Sequence, residues 1–326
     1  MPLLNSRSST ALNLSSSSSH SKKTLKNSKS STFSLSSSSS SHSKTTLKSS
    51  KSSTFSVSSP NPRTTPSKKV SSFNFDQELH CLAKLNIVIK EDPVLSQTVD
   101  SELIYRFAYF HSFDYETALT ALQQNYNSRY LTLSLTDKDL FAQFQKHTIF
   151  PLPDLKTQNK CNVFYTRPSR YTPANASNDD TRLIIDNLCY VLNDLSQTKK
   201  ECRKGVALIA NMNDWTMKNF SQDYCLQFMQ ALQGKMVPTK VELFLIVNPP
   251  SWFGRIWKVM KPMLSKSFSK KTHMIKEERL GEFLMEGYEH FLPDEITGGW
   301  KHTAEIVEDY VDLKRYEDEQ KLLAIS

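Results

Sequence analysis

Glycine is scarce in this chain, seven residues in 326, and none falls in G-x-G-x-x-G, a Walker loop or G-x-S-x-G. Backbone cradles for phosphate and the usual nucleophile elbow are therefore missing. H-E-x-x-H is missing too. The five cysteines, Cys81, Cys161, Cys189, Cys202 and Cys225, include no C-x-x-C pair and are odd in number. This pattern is expected of reduced thiols in an intracellular compartment and shows no metal-ligand spacing. No apolar run approaches the ~20 residues a spanning helix needs, so any membrane contact is expected to be peripheral. Asp214, Asp223 and Glu242 have no histidine at a suggestive spacing and read as capping or solvated carboxylates. No catalytic residue, metal or cofactor is expected, and the chain is not expected to be an enzyme.

Acid is missing from residues 1–75, where Asp76 is the first carboxylate after eleven of the 41 Lys and Arg. That leaves thirty bases against thirty-three acids over 76–326, so the pI of 9.1 belongs to the N-terminal stretch. The charge of the remainder gives no reason to expect a nucleic-acid partner. The same stretch carries a repeat at an offset of 22 residues, Ser15–Leu35 against Ser37–Val57. Each copy has too few apolar residues to offset backbone ordering, and residues 1–72 are expected to be a disordered Ser/Lys-rich tail. Two readings stay open for it. The composition fits import into an organelle through residues 1–70, and it also fits a plain tail that phosphorylation or anionic lipid would regulate. Pro60, Pro62 and Pro66 suit a linker.

Residues 73–150 read as a helical module. Phe75–Lys84 is expected to be a short helix with Leu79 and Leu82 inward. Asp100 and Asp114 are placed to cap two more, carrying Leu103, Ile104, Phe107 and Ala108 on one and Ala118, Leu122 and Tyr126 on the other. Beyond them, Asn162–Thr166, V-A-L-I-A-N-M from Val206 and V-E-L-F-L-I-V from Val241 have the length and make-up of buried strands. Helices over Thr181–Leu195 and Gln222–Gln233 alternate with these strands, and Lys199–Lys204 reads as a basic loop. The expected fold is α/β, a mostly parallel sheet with flanking helices over 151–300. Residues 301–326 read as a terminal helix with Ile306, Tyr310 and Leu313 inward.

The stretch from Leu243 to Lys276 organises the rest. Pro249 and Pro250 stop a strand, and Ser251 is placed as the N-cap of a helix whose apolar positions Trp252, Phe253, Ile256, Trp257, Met260 and Leu264 share one side. Arg255, Lys258 and Lys261 occupy the other side, and Lys266, Lys270, Lys271 and Lys276 follow. No acid lies between Glu242 and Glu277. Such a helix either covers the sheet with its lysines in water or lies on a membrane surface. Two tryptophans favour the interface.

Several segments together resemble the CRAL-TRIO family of lipid-binding domains. They are G-V-A-L-I-A-N-M-N-D-W-T-M-K-N-F from Gly205, K-V-E-L-F-L-I-V-N-P-P-S-W-F-G-R-I-W-K-V-M-K-P-M-L from Lys240, S-K-S-F-S-K-K-T-H-M-I from Ser265 and L-P-D-E-I-T-G-G from Leu292. The segment from Asp100 to Leu119 resembles the helical module that precedes that domain. The resemblance implies a sheet flooring an apolar cavity, closed by a mobile gate helix, with one lipid inside. By that likeness the cavity would be lined by Val206, Leu208, Thr216, Phe244, Ile246, Trp252, Phe253, Trp257, Met260 and Leu264. Arg255, Lys258, Lys261, Lys266, Lys270 and Lys271 would meet headgroups of an anionic membrane. In family members that carry phosphatidylinositol, a glutamate, a threonine and a lysine hold the inositol phosphate. Here those positions are Thr239, Phe268 and Lys271. Thr216 falls where a hydroxyl meets a choline headgroup, with Lys218 in place of the second hydroxyl.

The function expected from this is a monomeric cytoplasmic protein, peripherally associated with membranes, that binds one hydrophobic lipid and exchanges or presents it there. The alternative is a non-catalytic adaptor with a vestigial cavity that recruits a signalling or trafficking partner to membranes.

Overall fold

The computed structural model describes residues 74–173, 177–296 and 298–325. The tail expected over 1–72, its repeat and Thr297 lie outside them. Four helices open the described chain: α1 (Phe75–Glu91), α2 (Leu95–Thr98), α3 (Ser101–Phe110) and α4 (Tyr115–Asn125). Asp100 and Asp114 accept from the backbone N–H of Leu103 and Thr117 and cap α3 and α4, offsetting orphan donors that would otherwise cost about 1 kcal/mol each. α1 runs seven residues past its expected end and turns Cys81, Leu85 and Ile89 inward, while Leu79 is 59% exposed. A stripe set by 81, 85 and 89 places residue 79 on the far side, so the inward role expected for Leu79 does not hold.

After α5 (Lys138–Phe144) come five strands: β1 (Ile149–Lys156), β2 (Asn162–Thr166), β3 (Val206–Asn211), β4 (Val241–Val247) and β5 (Thr272–Ile275). They lie side by side in chain order, with β1 antiparallel to β2 and the other pairs parallel. The connections are α6 (Asn178–Asp194) with α7 (Lys199–Lys204), then α8 (Gln222–Leu232), then α9 (Phe253–Met260) with α10 (Lys266–Lys270). Parallel crossovers are right-handed almost without exception, so a sheet laid down in chain order carries its connecting helices on one face. The chain after β5 ends in α11 (Thr303–Ile325), whose Tyr310 and Lys314 reach Asp194 at the end of α6.

Several local expectations are corrected. Lys199–Lys204 is a helix, because Thr198 and Glu201 form a capping box at its start. Ser251 makes no cap; the residue before α9 is Trp252, with no side-chain cap bond. α9 stops at Met260, and Pro262 sits in a 3-10 turn over Lys261–Met263 that carries Leu264 out of the helix. On α11, Ile306, Val307, Tyr310 and Val311 are buried, whereas Leu313 is 53% exposed. β1 and β5 are the two sheet edges and were not read from sequence. β1 contains Pro151 and Pro153, tolerable at an edge where one row of N–H groups has no strand to meet, and its register slips between Leu152 and Lys156.

The helical module is tied to the sheet through α6 and α7. Arg203 donates to both Glu78 oxygens, at 2.7 and 3.0 Å, and to the Tyr105 hydroxyl at 2.6 Å. Arg106 is buried and donates to Asn193 Oδ1 at 2.6 Å. Gly205, at φ +68, turns α7 into β3 where a Cβ would lie 2.5 Å from Glu242 Cγ. Only glycine fits there without a shift.

Candidate functional site

Side chains alternate along a strand, so each strand serves both faces of the sheet. Thr166, Ala210 and Ile246 are register partners across β2, β3 and β4. They lie with Phe244 under α9, which contributes the buried side chains Phe253 and Met260. α8 closes the side with Tyr224, Cys225, Phe228 and Met229. These residues enclose an apolar slot of about 60 Å³, room for about two water-sized groups. A second apolar space of about 290 Å³ opens from it between α8 and α9, sharing Cys225, Met229 and Met260 and reaching Arg255, Val259 and Met263.

The residues expected to line the cavity fall into three groups. Phe244, Ile246, Phe253 and Met260 line the slot. Val206 and Leu208 share the strand parity of Ala210 but are wholly buried in the core, and Leu264 is buried beyond the end of α9. Trp252 and Trp257 are half-buried against the core, Trp252 stacked on Trp215 at 4.8 Å between ring centres. Thr216 donates its hydroxyl to Asn219 Oδ1 at 2.9 Å and caps a short turn. Sequence reasoning missed Thr166 and the α8 wall. The pairs 224/228 and 225/229 on α8 are a helical i, i+4 signal that was available, whereas Thr166 is a polar residue at the end of a short strand.

The cations divide as well. Arg255, Lys258, Lys261, Lys266 and Lys270 are exposed and make no ion pair among the described residues. Lys271 is held: its ammonium pairs with Glu242 at 2.9 Å and donates to Val241 O at 3.0 Å. The unopposed charge expected there is corrected by the β4–β5 pairing, which brings back a glutamate from just outside the basic window. Lys271 shares a shallow depression with Thr239, Phe268 and Lys240. The Thr239 hydroxyl is engaged with Ser196 Oγ at 2.7 Å and Leu192 O at 3.2 Å. Lys240 sits 4.1 Å from the Tyr109 ring centre, and burial pushes its ammonium below the usual range.

The other face is closed, with one polar network set in an apolar core that includes Ile209, Leu245 and Val247. Glu295 accepts from Tyr165 at 3.1 Å and Thr303 at 2.8 Å, pairs with Arg167 at 2.9 Å and also with Arg170. Asn211 donates to the Tyr165 hydroxyl at 2.8 Å. All five cysteines are free, and burial pushes the Cys202 and Cys225 thiols up to about 11. At that value neither is a thiolate nucleophile at neutral pH. Among the described residues no group of three or more His, Cys, Asp or Glu could hold a metal, and no helix is long and apolar enough to cross a membrane.

Comparison with known proteins agrees on the body of the chain. Residues 146–298 match the model of the CRAL/TRIO domain. The alpha-tocopherol transfer protein-like proteins of Mus musculus and Homo sapiens are each 24% identical over 196 residues, covering 57% of this chain and 55% of theirs. The chain thus spans about half the length of the curated relatives it matches. The crystal structure of Sfh5 superposes with a TM-score of 0.51 at 14% identity, over 75% of this chain and 99% of that one. At such identity the likeness is one of fold.

Proposed function

We propose, from the premise that residues 146–298 are a CRAL/TRIO domain, that this protein binds a hydrophobic lipid between the sheet and α9 and exchanges or presents it at a membrane. The single observation carrying this reading is the apolar slot under α9, continuous with the groove beside it, in a domain whose other sheet face is closed. The slot is too narrow for a lipid with α9 as it stands, so binding requires α9 to swing outward. Exposing Phe253 and Met260 to water costs about 2 kcal/mol each, which keeps the open form near one molecule in a thousand in solution. Against a bilayer that cost falls away, because the same side chains enter acyl chains.

The outer surface of α9 suits this. Val259 and Met263 are 64% and 44% exposed, flanked by Arg255, Lys258, Lys261 and Lys266. Apolar side chains ringed by unpaired cations match an anionic membrane surface, at about 1 kcal/mol per lysine. The triple variant Lys258→Glu, Lys261→Glu, Lys266→Glu is expected to lower binding to phosphatidylcholine vesicles containing phosphatidylserine at least about a hundredfold. Lipid recovered with the purified protein should be unchanged. Cosedimentation and mass spectrometry of extracted lipid read the two quantities separately.

The small slot favours one second reading, a non-catalytic adaptor whose cavity no longer fills. Protein that retains vesicle binding but takes up no lipid from donor vesicles would select that reading and remove the first.

A further inference from the structure

Thr166 closes β2 with no exposed surface, and its Oγ1 has no hydrogen-bond partner among the described residues. Buried hydroxyls are normally satisfied, and one left unpaired costs free energy that nearby packing must offset. This one belongs to a residue that lines the slot, on the same sheet face as Ala210 and Ile246. Across the slot Tyr224 makes ring contacts with Tyr171 and Phe228. Asn219, the other polar lining residue, is fully used by Thr216, Ser169 and Tyr171. The slot therefore holds one idle buried hydroxyl, that of Thr166, in a largely apolar wall.

The same wall contains no Lys, Arg, Asp, Glu or His. A charged group placed there would lose its hydration with no counter-charge to replace it. The nearest cation in the lining of either space is Arg255, in the outer groove. An uncharged oxygen has no such penalty and meets in Thr166 a hydroxyl that can donate or accept.

We infer that Thr166 is the recognition point of the cavity, and that the ligand is an uncharged lipid carrying a hydroxyl or carbonyl oxygen, seated with that oxygen toward the sheet. This rests on the lipid-binding reading above and narrows it. A phospholipid with its headgroup at the basic rim would send only hydrocarbon inward and leave the Thr166 hydroxyl idle.

The test uses the full chain, stripped of lipid and incubated with phosphatidylcholine vesicles carrying equal amounts of 1-hexadecanol and n-hexadecane. The bound lipid is quantified by mass spectrometry. The wild type should retain the alcohol over the hydrocarbon by about tenfold. The variant Thr166→Val should bring the ratio near one through loss of alcohol uptake. The same substitution should leave the melting temperature unchanged or raise it, since an apolar isostere replaces an unpaired hydroxyl. An equal alcohol-to-hydrocarbon ratio in wild type and variant overturns the proposal, as does uptake of phosphatidylcholine to the exclusion of both probes. A fall of several degrees in the variant overturns it too, because the hydroxyl would then have a partner within the protein. In each of these outcomes lipid binding itself can stand. Failure to take up any of the three lipids removes the lipid-binding reading as well.

Discussion

The two faces of the sheet are built from neighbouring residues of the same strands, and near the ends of β2 and β3 one holds a closed polar network where the other holds an apolar slot. Tyr165 and Asn211 point to one face, where they join Glu295, Arg167, Arg170 and Thr303 in a network that satisfies them. Thr166 and Ala210, one residue away along β2 and β3, point to the other, where an apolar slot leaves the Thr166 hydroxyl idle. A closed polar network in a low-dielectric setting holds its members in one geometry. An apolar slot under a short helix with no side-chain cap is held mainly by non-directional packing, which a bilayer can replace. The face with the network is suited to be frame and the face with the slot to be door.

This contrast is open to direct attack. The largest effect is expected on the framed face, where Glu295→Ala removes the acceptor shared by two arginines and the Tyr165 and Thr303 hydroxyls. Among the described residues that leaves Arg167 only Asp214 as an ion-pair partner and Arg170 only His147 O. Breaking a buried ion pair from one side costs about 3–5 kcal/mol, and urea denaturation should show a loss of that order. A loss under about 1 kcal/mol would mean that the network is ornamental and the contrast false. Next comes Ala210→Leu on the other face, which places three more carbons into the slot. It should lower lipid uptake from donor vesicles by about tenfold and change stability by less than about 2 kcal/mol. Undiminished uptake would show that the lipid lies elsewhere.

The smallest effect is one of pH. His147 lies next to the network, and burial, with Arg170 beside it, holds its imidazole below the ordinary value of 6.5. Folding therefore favours the neutral ring. The stability it lends is present above 6.5 and is lost as pH falls through 6.5 toward the lowered value, because the unfolded chain takes up the proton first. Partial exposure keeps this under about 1 kcal/mol. Melting curves at pH 7.5 and 5.5 should differ more for wild type than for His147→Asn, a substitution that suits the left-handed backbone there, φ +51. An equal difference would take His147 out of the account.

Legibility in the sequence followed how local each signal was. β3 and β4 stood out because both of their faces are buried, and the caps Asp100 and Asp114 because a cap acts three residues away. β1 and β5 did not, because an edge strand needs no continuous apolar run and β1 contains prolines. The site was read in part. Phe244, Ile246, Phe253 and Met260 come from the stretch where the helical and strand periods were clear. Thr166 is joined to them by register across β3, and Tyr165 meets Glu295 over 130 residues of sequence.

By itself the sequence determined the segregation of charge into the first 75 residues, the alternation of helix and strand, and the basic apolar helix after Pro250. Each of these is a matter of composition or short-range period. Tertiary structure alone decided that Lys271 is spent on Glu242 while Lys266 and Lys270 make no ion pair among the described residues, that Glu295 gathers Tyr165, Thr303, Arg167 and Arg170, and that the slot behind α9 is narrow and holds the unused Thr166 hydroxyl. Those outcomes depend on which strands pair and in what register, and pairing brings together side chains that no local period connects.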